Sequence, residues 1–417
     1  MGIYKNPLTI YLLFWGIWLG ISMLDPFRLY SVSDEAYLLL LANIACFSIG
    51  YVTFCNKVAF GVCSNSLFKK SSKLAIISLQ FFLLIVLVYY IKKFNYLVAA
   101  MTISDARTIK FEQGLLFNSF TEYAFFNYFI HSFLYLTTIL AISSYVVNKK
   151  INTILIFSII NVWLFGLIGL GRFVIFDTLV FYLLANSFMC HINSSHQIIG
   201  FKSTNYRKKI IFTIFGFSAV IAMVSLTASR MGIHIYNKQN IIYITSYTIE
   251  QAIVYFVGPF RAFDHFLNIS DNFNYTLGRA SFAGIEEIIS NFFLFADIKW
   301  VTANEITSSF TTPGILVGQN QYFNAFYTGV MNSFLDGGLV GVMFFAFLFG
   351  AIAAGVLNYH KKHSNLFSLG LLVYFTYISI ASEFRLAFNA PSTWLILFLL
   401  VIFSLCFSIT KKKNQEI

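Results

Sequence analysis

Arginine matches phosphate oxygens two at a time, because its guanidinium is a planar fork that keeps its charge. In this chain the arginines stand at the ends of apolar runs. Arg172 lies in Gly169-Leu170-Gly171-Arg172-Phe173, and Arg230 follows Thr227-Ala228-Ser229. Arg261 sits in a dense aromatic segment, and Arg385 in a short polar interruption near the C-terminus. A cation so placed either snorkels and fixes a helix end at headgroup depth, or projects into a cavity and holds an anion. Two arginines from neighbouring runs can share one diphosphate.

The segment Tyr255-Phe256-Val257-Gly258-Pro259-Phe260-Arg261-Ala262-Phe263-Asp264-His265-Phe266 is the densest chemical cluster. Proline opens helices at their first turn, so Pro259 predicts a helix start. Arg261 and Asp264 then face the same side and can form an intrahelical ion pair. Phe256, Phe260, Phe263 and Phe266 repeat at helical spacing and read as a packing stripe. Glu250, Asp264 and His265 are the candidate general bases, since each can take a proton from a hydroxyl brought within reach. Tyr255, Gln319, Asn320, Tyr322 and Asn324 are the candidate sugar contacts: amides and phenol rings suit sugar hydroxyls and sugar faces, and equally suit helix capping. Asp177 is an acid inside an apolar run, with Arg172 or a neighbouring hydroxyl as its partner. Asp336-Gly337-Gly338 leads into a run containing Gly341, Gly350 and Gly355, small residues that favour close helix packing. No phosphate-binding P-loop, dinucleotide fingerprint, HExxH motif or Asp-x-Asp occurs, and no metal-ligand spacing is present.

The elements that must position these residues are membrane spans. The chain of 417 residues is 58% hydrophobic and 11% charged, against roughly 25% charged in soluble domains. Apolar stretches at 8–24, 36–56, 74–91, 125–147, 152–170, 173–191, 209–227, 338–358, 366–382 and 391–409 predict an all-α polytopic membrane protein of about ten transmembrane helices in one bundle. An even number of spans puts both termini on one side. That side collects Lys5, Lys57, Lys69, Lys70, Lys73, Lys149, Lys150, Lys202, Arg207, Lys208, Lys209, Lys361, Lys362 and Lys411 to Lys413, with Glu416 as its acid. Lysine-rich loops are cytoplasmic, so every arginine except Arg207 falls on the outer side. The same bias explains the net charge of +11 without nucleic-acid binding.

Residues 92–124 and 228–320 are read as long outer loops, the second capping a site at the lipid–water boundary. Its aromatic residues fit amphipathic helices lying at the bilayer surface, with 241–258 alternatively a re-entrant segment. The first apolar run lacks a small-x-small cleavage site and reads as an uncleaved span. The five cysteines avoid the outer loops, so no disulfide is expected.

With these residues in place, the chain resembles the O-antigen polymerases, or oligosaccharide repeat-unit polymerases. The resemblance lies in the span layout, in Gly171-Arg172-Phe173 opening a span, in the Tyr255 to Asp264 segment, and in Asn324 to Gly350. It implies a membrane-embedded C-type glycosyltransferase in a bacterial inner membrane, with its active site periplasmic. The implied substrates are oligosaccharide repeat units on undecaprenyl diphosphate, the growing chain passing to the non-reducing end of a new unit. The resemblance places the diphosphates on Arg172 and Arg230, and less directly on Arg261 and Arg385. No cofactor is expected, because the donor already carries its leaving group. Membrane lipids and a chain-length regulator are implied partners. A lipid-linked oligosaccharide flippase and an O-antigen ligase are the alternatives; the long outer loop and the absence of an evident internal repeat weigh against the flippase.

Overall fold

The computed structural model describes residues 6–56, 70–101, 105–106, 114–168, 171, 173–194, 221, 224–225, 227–228, 231–233, 237–269, 273–294, 300–311, 314–319, 321–323 and 327–413. The described residues are mostly helical: α1 (Pro7–Ser22), α2 (Asp34–Phe54), α3 (Lys70–Ala100), α4 (Phe120–Asn148), α5 (Thr153–Leu167), α6 (Phe173–Ser194), α7 (Lys238–Ile269), α8 (Ala283–Leu294), α9 (Ala303–Thr311), a two-stranded hairpin of β1 (Ile315–Gly318) and β2 (Gln321–Phe323), α10 (Gly329–His363), α11 (Leu366–Ala381) and α12 (Pro391–Lys413). Among the described residues, α2, α3 from Lys73, α4, α7 and α10 are long and apolar enough to cross a membrane. The apolar helices α1, α5, α11 and the described parts of α6 and α12 are shorter. The expected span at 209–227 falls largely outside the described residues.

Several boundaries differ from the sequence reading. α3 continues to Ala100 and α4 begins at Phe120, so both ends of the expected 92–124 loop are helical. Lys93, within the extended part of α3, holds the connection. Its ammonium bonds Glu122 at 3.1 Å and the Leu116 carbonyl at 3.1 Å, so the connection folds back onto the last turns of α3. Within 228–320, Pro259 does not open a helix; it lies inside the 32-residue α7. Proline removes one ladder hydrogen bond, but the packing on both sides of the residue carries the helix through. The Phe323 ring of β2 occupies the space where a Gly258 Cβ would stand, 2.8 Å from it. α10 starts at Gly329, with Thr328 as its cap, and kinks at Gly337-Gly338 before the expected span begins. Gly338 has φ 59°, a conformation that suits glycine.

The chain divides into two compact units. The first comprises residues 1–61, 250–364 and 371–417. Its centre is the pairing of α2 with α10, where Gly50 faces the Phe347 carbonyl and Gly350 faces the Phe47 carbonyl. Asn358 closes the end of α2, donating to the Phe54 carbonyl at 2.8 Å and accepting from the Asn56 amide at 3.1 Å. The second unit comprises residues 62–249 and 365–370. There α3, α4, α5 and α6 pack with polar side chains between them. Gln80 donates to the Ile154 carbonyl and Asn161 to the Gln80 carbonyl, each at 3.0 Å, while Ser158 meets Thr138 at 3.1 Å. Asp177 is wholly buried and accepts from the Tyr135 hydroxyl, which is the hydroxyl partner among its two sequence alternatives. Such bonds join helices where apolar contact alone gives little preference for protein over lipid.

Candidate functional site

The first unit gathers the loop between α1 and α2, the second half of α7, the β-hairpin and the turn after α11. Arg261 reaches the end of α1, with its side chain only 3% exposed. Its Nη1 donates to Ser22 Oγ and to the Val257 carbonyl, both at 3.0 Å. Its Nη2 donates to the Ser22 carbonyl at 3.1 Å and to Asp25 at 2.9 Å. The expected pairing with Asp264 is therefore corrected: the ion pair is with Asp25. Asp264 instead accepts from the backbone amide and hydroxyl of Ser33, the cap of α2. A cation thus meets the C-terminal carbonyls of α1, and a carboxylate meets the N-terminus of α2. Both placements complement the helix dipoles. The densest chemical cluster of the sequence is, in this structure, a clamp between α7 and the first two helices.

Helix geometry also separates the candidate bases. Glu250 and Asp264 are fourteen residues apart on one helix, or ~21 Å along its axis at about 1.5 Å per residue. They cannot serve the same hydroxyl. His265, beside Asp264, is exposed. Glu250 is half-buried and accepts from the Gln321 amide of β2. Tyr255, on the same stretch of α7, packs its ring 6.3 Å from that of Phe323. The hairpin therefore meets Glu250 and Tyr255 through Gln321 and Phe323, while Tyr322, between them on the strand's other face, is 64% exposed, and Gln319 is exposed at the turn. Asn320, Asn324, Arg172 and Arg230 lie outside the described residues.

Arg28 belongs to the same surface. The sequence counts it among the outer arginines without giving it a role. The Tyr30 amide donates to Val317 at 2.9 Å and the Gln319 amide to Arg28 at 3.2 Å, so residues 28–30 run along β1. Gly318 has no room for a Cβ, the Arg28 carbonyl lying 2.8 Å from its position. Asp25, Phe27 and Arg28 all have positive φ, at 44°, 57° and 59°. Each costs on the order of 1–2 kcal/mol for a non-glycine residue. The ion pair of buried Arg261 with half-exposed Asp25 and the strand pairing hold this strained turn. It leaves Arg28 exposed, with its carbonyl bonded to the amide of exposed Gln319.

The other described arginines are engaged. Arg279 bonds Glu286 and the Val301 carbonyl, and its guanidinium lies 5.2 Å from the Trp300 ring centre. Glu286 also accepts from Trp300 Nε1 and the Ala303 amide, each at 2.8 Å, tying α8 to α9. Arg385, part-exposed, donates to the Tyr377 hydroxyl at 2.9 Å. Among the described arginines, Arg28 is the one whose side chain has no hydrogen-bond or ion-pair partner.

The Asp336-Gly337-Gly338 motif has a structural explanation. The Asp336 carboxylate is buried and accepts from the Thr276 hydroxyl and from the amides of Gly278, Ala280 and Ser281. It fixes the turn that leads into α8. Glu383, two residues before Arg385, has no role in the sequence reading. Its side chain is 0% exposed and neither carboxyl oxygen has a hydrogen-bond partner. Burial pushes its pKa well above the usual carboxylate range. The signal available in the sequence was an acid in a short connection crowded with Phe384, Leu386 and Phe388. Comparison of the chain with protein-family models, with curated proteins and with solved structures finds no match.

Proposed function

We propose that this protein is a membrane glycosyltransferase that polymerises undecaprenyl-diphosphate-linked oligosaccharide repeat units at the outer face of a bacterial inner membrane. The observation that carries the reading is the unpartnered Arg28, presented by a strained turn whose backbone pairs with β1 next to exposed Gln319. A guanidinium suits phosphate, and an amide with a phenol ring suits a sugar. Glu250, which accepts from Gln321 of the hairpin, is the candidate base on that element. The arginine-rich outer side assigned by loop charge supports the same chemistry, with Arg172 and Arg230 as the further diphosphate ligands. Arginines there would neutralise charge developing on the departing diphosphate. Arg261 contributes indirectly, by holding the turn that carries Arg28.

Removing the gene and resolving surface polysaccharide on a gel tests this. Loss of a polymerase leaves lipid A-core bearing a single repeat unit. Core without any unit, together with accumulated lipid-linked polymer, would assign a ligase. Single units trapped on the cytoplasmic side would assign a flippase. Arg172→Ala and Arg230→Ala should each abolish the ladder at normal membrane levels.

Orientation is tested separately. Leu277 is 85% exposed. In a background with the native cysteines replaced, Leu277→Cys should react with a membrane-impermeant maleimide added from the periplasmic side. Reaction only after the inner membrane is opened would place this segment in the cytosol and end the proposal.

A further inference from the structure

A helix on a water-facing surface turns its polar stripe outward and its apolar stripe toward the core. α8 does the reverse. Its Glu286 is buried and accepts from Arg279, Trp300 and the Ala303 amide. Glu287 accepts from Asn304 at 2.8 Å, and Ser290 is buried. Among the described residues of α8, the exposed ones are Ile285 and Ile289, four apart and therefore on one face.

The neighbours of α8 set its depth. Phe282, just before its first turn, meets Phe345 and Phe349 of α10 at 5.9 and 6.1 Å and Trp394 of α12 at 5.7 Å. Gly284 has no room for a Cβ, since the Phe388 and Ala390 carbonyl oxygens lie 2.6 and 2.8 Å from its position. Phe349 and Phe345 precede Lys361 by twelve and sixteen residues, or ~18 and ~24 Å at about 1.5 Å per residue. The hydrocarbon core is ~30 Å thick. With Lys361 at the cytoplasmic end, a helix seated against both rings starts inside that core. Gly338 stands ~35 Å from Lys361 by the same rise, at headgroup level. There the Tyr275 hydroxyl lies 3.0 Å from the position of a Gly338 Cβ, and Leu277 nearby is 85% exposed.

The chain between that level and α8 meets the condition that lipid imposes. Irregular backbone is tolerated at membrane depth only where its polar groups are satisfied inside the protein. Every N–H from Thr276 to Phe282 has such a partner. Those of Thr276 and Leu277 donate to the Leu335 and Asp336 carbonyls, and those of Arg279 and Phe282 to the Thr276 and Gly278 carbonyls. Those of Gly278, Ala280 and Ser281 donate to the Asp336 carboxylate. The Arg279 charge is matched by Glu286 within the segment.

We infer that residues 278–291 are embedded in the outer leaflet, with Ile285 and Ile289 of α8 turned to lipid acyl chains. The partner is hydrocarbon, because neither exposed side chain on this face can hydrogen-bond. The segment also packs beside α10, where Leu339, Val340, Met343 and Phe344 are exposed as a lipid-facing surface requires. This goes beyond helices resting on the bilayer surface: part of the expected outer loop belongs to the wall of the bundle and not to a cap above it.

The test uses the full-length protein with single cysteines, reconstituted in nanodiscs of phosphatidylethanolamine and phosphatidylglycerol. A nitroxide on each cysteine reports collisions with oxygen, which concentrates in hydrocarbon, and with a water-soluble nickel chelate. The cysteines replace exposed side chains, so the labelled proteins should melt like wild type. Ile285→Cys and Ile289→Cys should favour oxygen over nickel several-fold more than Gln319→Cys of the hairpin, and should match Phe344→Cys of α10. Leu277→Cys, at headgroup level, should fall between. A nickel preference at Ile289→Cys equal to that of Gln319→Cys would put α8 in water and overturn the inference. A label at Ile289→Cys reached by neither reagent would mean that protein covers this face, as in association with a second copy, and would overturn it equally. Either result leaves the polymerase reading to be decided by the polysaccharide ladder.

Discussion

Gly350→Val should leave no folded protein to extract from the membrane, while Gly355→Ala, little more than one helical turn away, should be neutral or slightly stabilising. A Cβ on Gly350 would stand 2.0 Å from the Phe47 carbonyl oxygen and 2.9 Å from its carbon. Those are backbone atoms of α2, so no side chain can rotate away. The contact is reciprocal, because a Cβ on Gly50 would stand 2.1 Å from the Phe347 carbonyl oxygen. To admit one methyl group, α2 and α10 must separate by more than an ångström along the central pairing of the first unit. Overpacking of well-fitted cores typically costs about 1–3 kcal/mol and occasionally more. Here, separation also loosens the Asn358 and Lys361 bonds that close the end of α2. Gly355 is exposed with nothing within 4 Å, so alanine there gains helix propensity of about 1 kcal/mol. Detergent-extracted yield and melting temperature of the two variants decide the matter. A Gly350→Val protein that melts like wild type would show that the two helices do not cross at these glycines.

The pair of glycine variants also shows what could be read beforehand. Gly341, Gly350 and Gly355 look alike in the sequence as small residues in one apolar run. Only the fold separates them: Gly350 meets another helix, Gly341 meets the Ser333 carbonyl across the kink of its own helix, and Gly355 meets nothing. Apolar stretches were legible because the length of an uncharged run is a local property. α1, α2, α5, α11 and α12 begin within a few residues of the expected positions. α7 was misread because its polar positions are spread along it. Lys238, Glu250, Arg261, Asp264 and His265 dilute the apolar signal, and Pro259 imitates a helix start. Whether α7 crosses the membrane decides which side the segments after it face, so the labelling of Leu277→Cys bears on more than one loop.

The site was legible as composition and illegible as pairing. The sequence marks out the arginines, acids, amides and phenols as residue types but not their partners. It coupled Arg261 to Asp264 because the two are three residues apart. The structure instead matches each to a helix end contributed by a segment more than 200 residues earlier. Arg28 and Glu383 were left without roles for the same reason. A free guanidinium and an unpartnered carboxyl are defined by what surrounds them, and spacing along the chain does not encode that.

Asp336→Ala should be the most damaging loss of a single polar side chain among the described residues. Its carboxylate answers the Gly278 amide at 2.8 Å, the Ala280 amide at 3.0 Å, the Ser281 amide at 2.8 Å and the Thr276 hydroxyl. Ala280 and Ser281 are buried, so their amides cannot turn to water. Each orphaned buried donor costs about 1–3 kcal/mol, and bonds to a charged acceptor lie toward the upper end. Because one carboxylate serves all four donors, the losses occur together; about 3–5 kcal/mol is expected for the turn. Asp336→Asn is the sharper variant. It can keep an acceptor at Oδ1 but directs an amide donor at the Ser281 N–H, so it should cost about 1–3 kcal/mol. The damage should be local, since α2 and α10 pair beyond the kink at Gly337-Gly338. Limited proteolysis should therefore cut near residues 273–282 in Asp336→Ala before the transmembrane helices are lost. A cleavage pattern and melting temperature equal to wild type would show that this carboxylate does not hold the turn. Retained structure elsewhere with loss of the polysaccharide ladder would tie the turn to activity rather than to general folding.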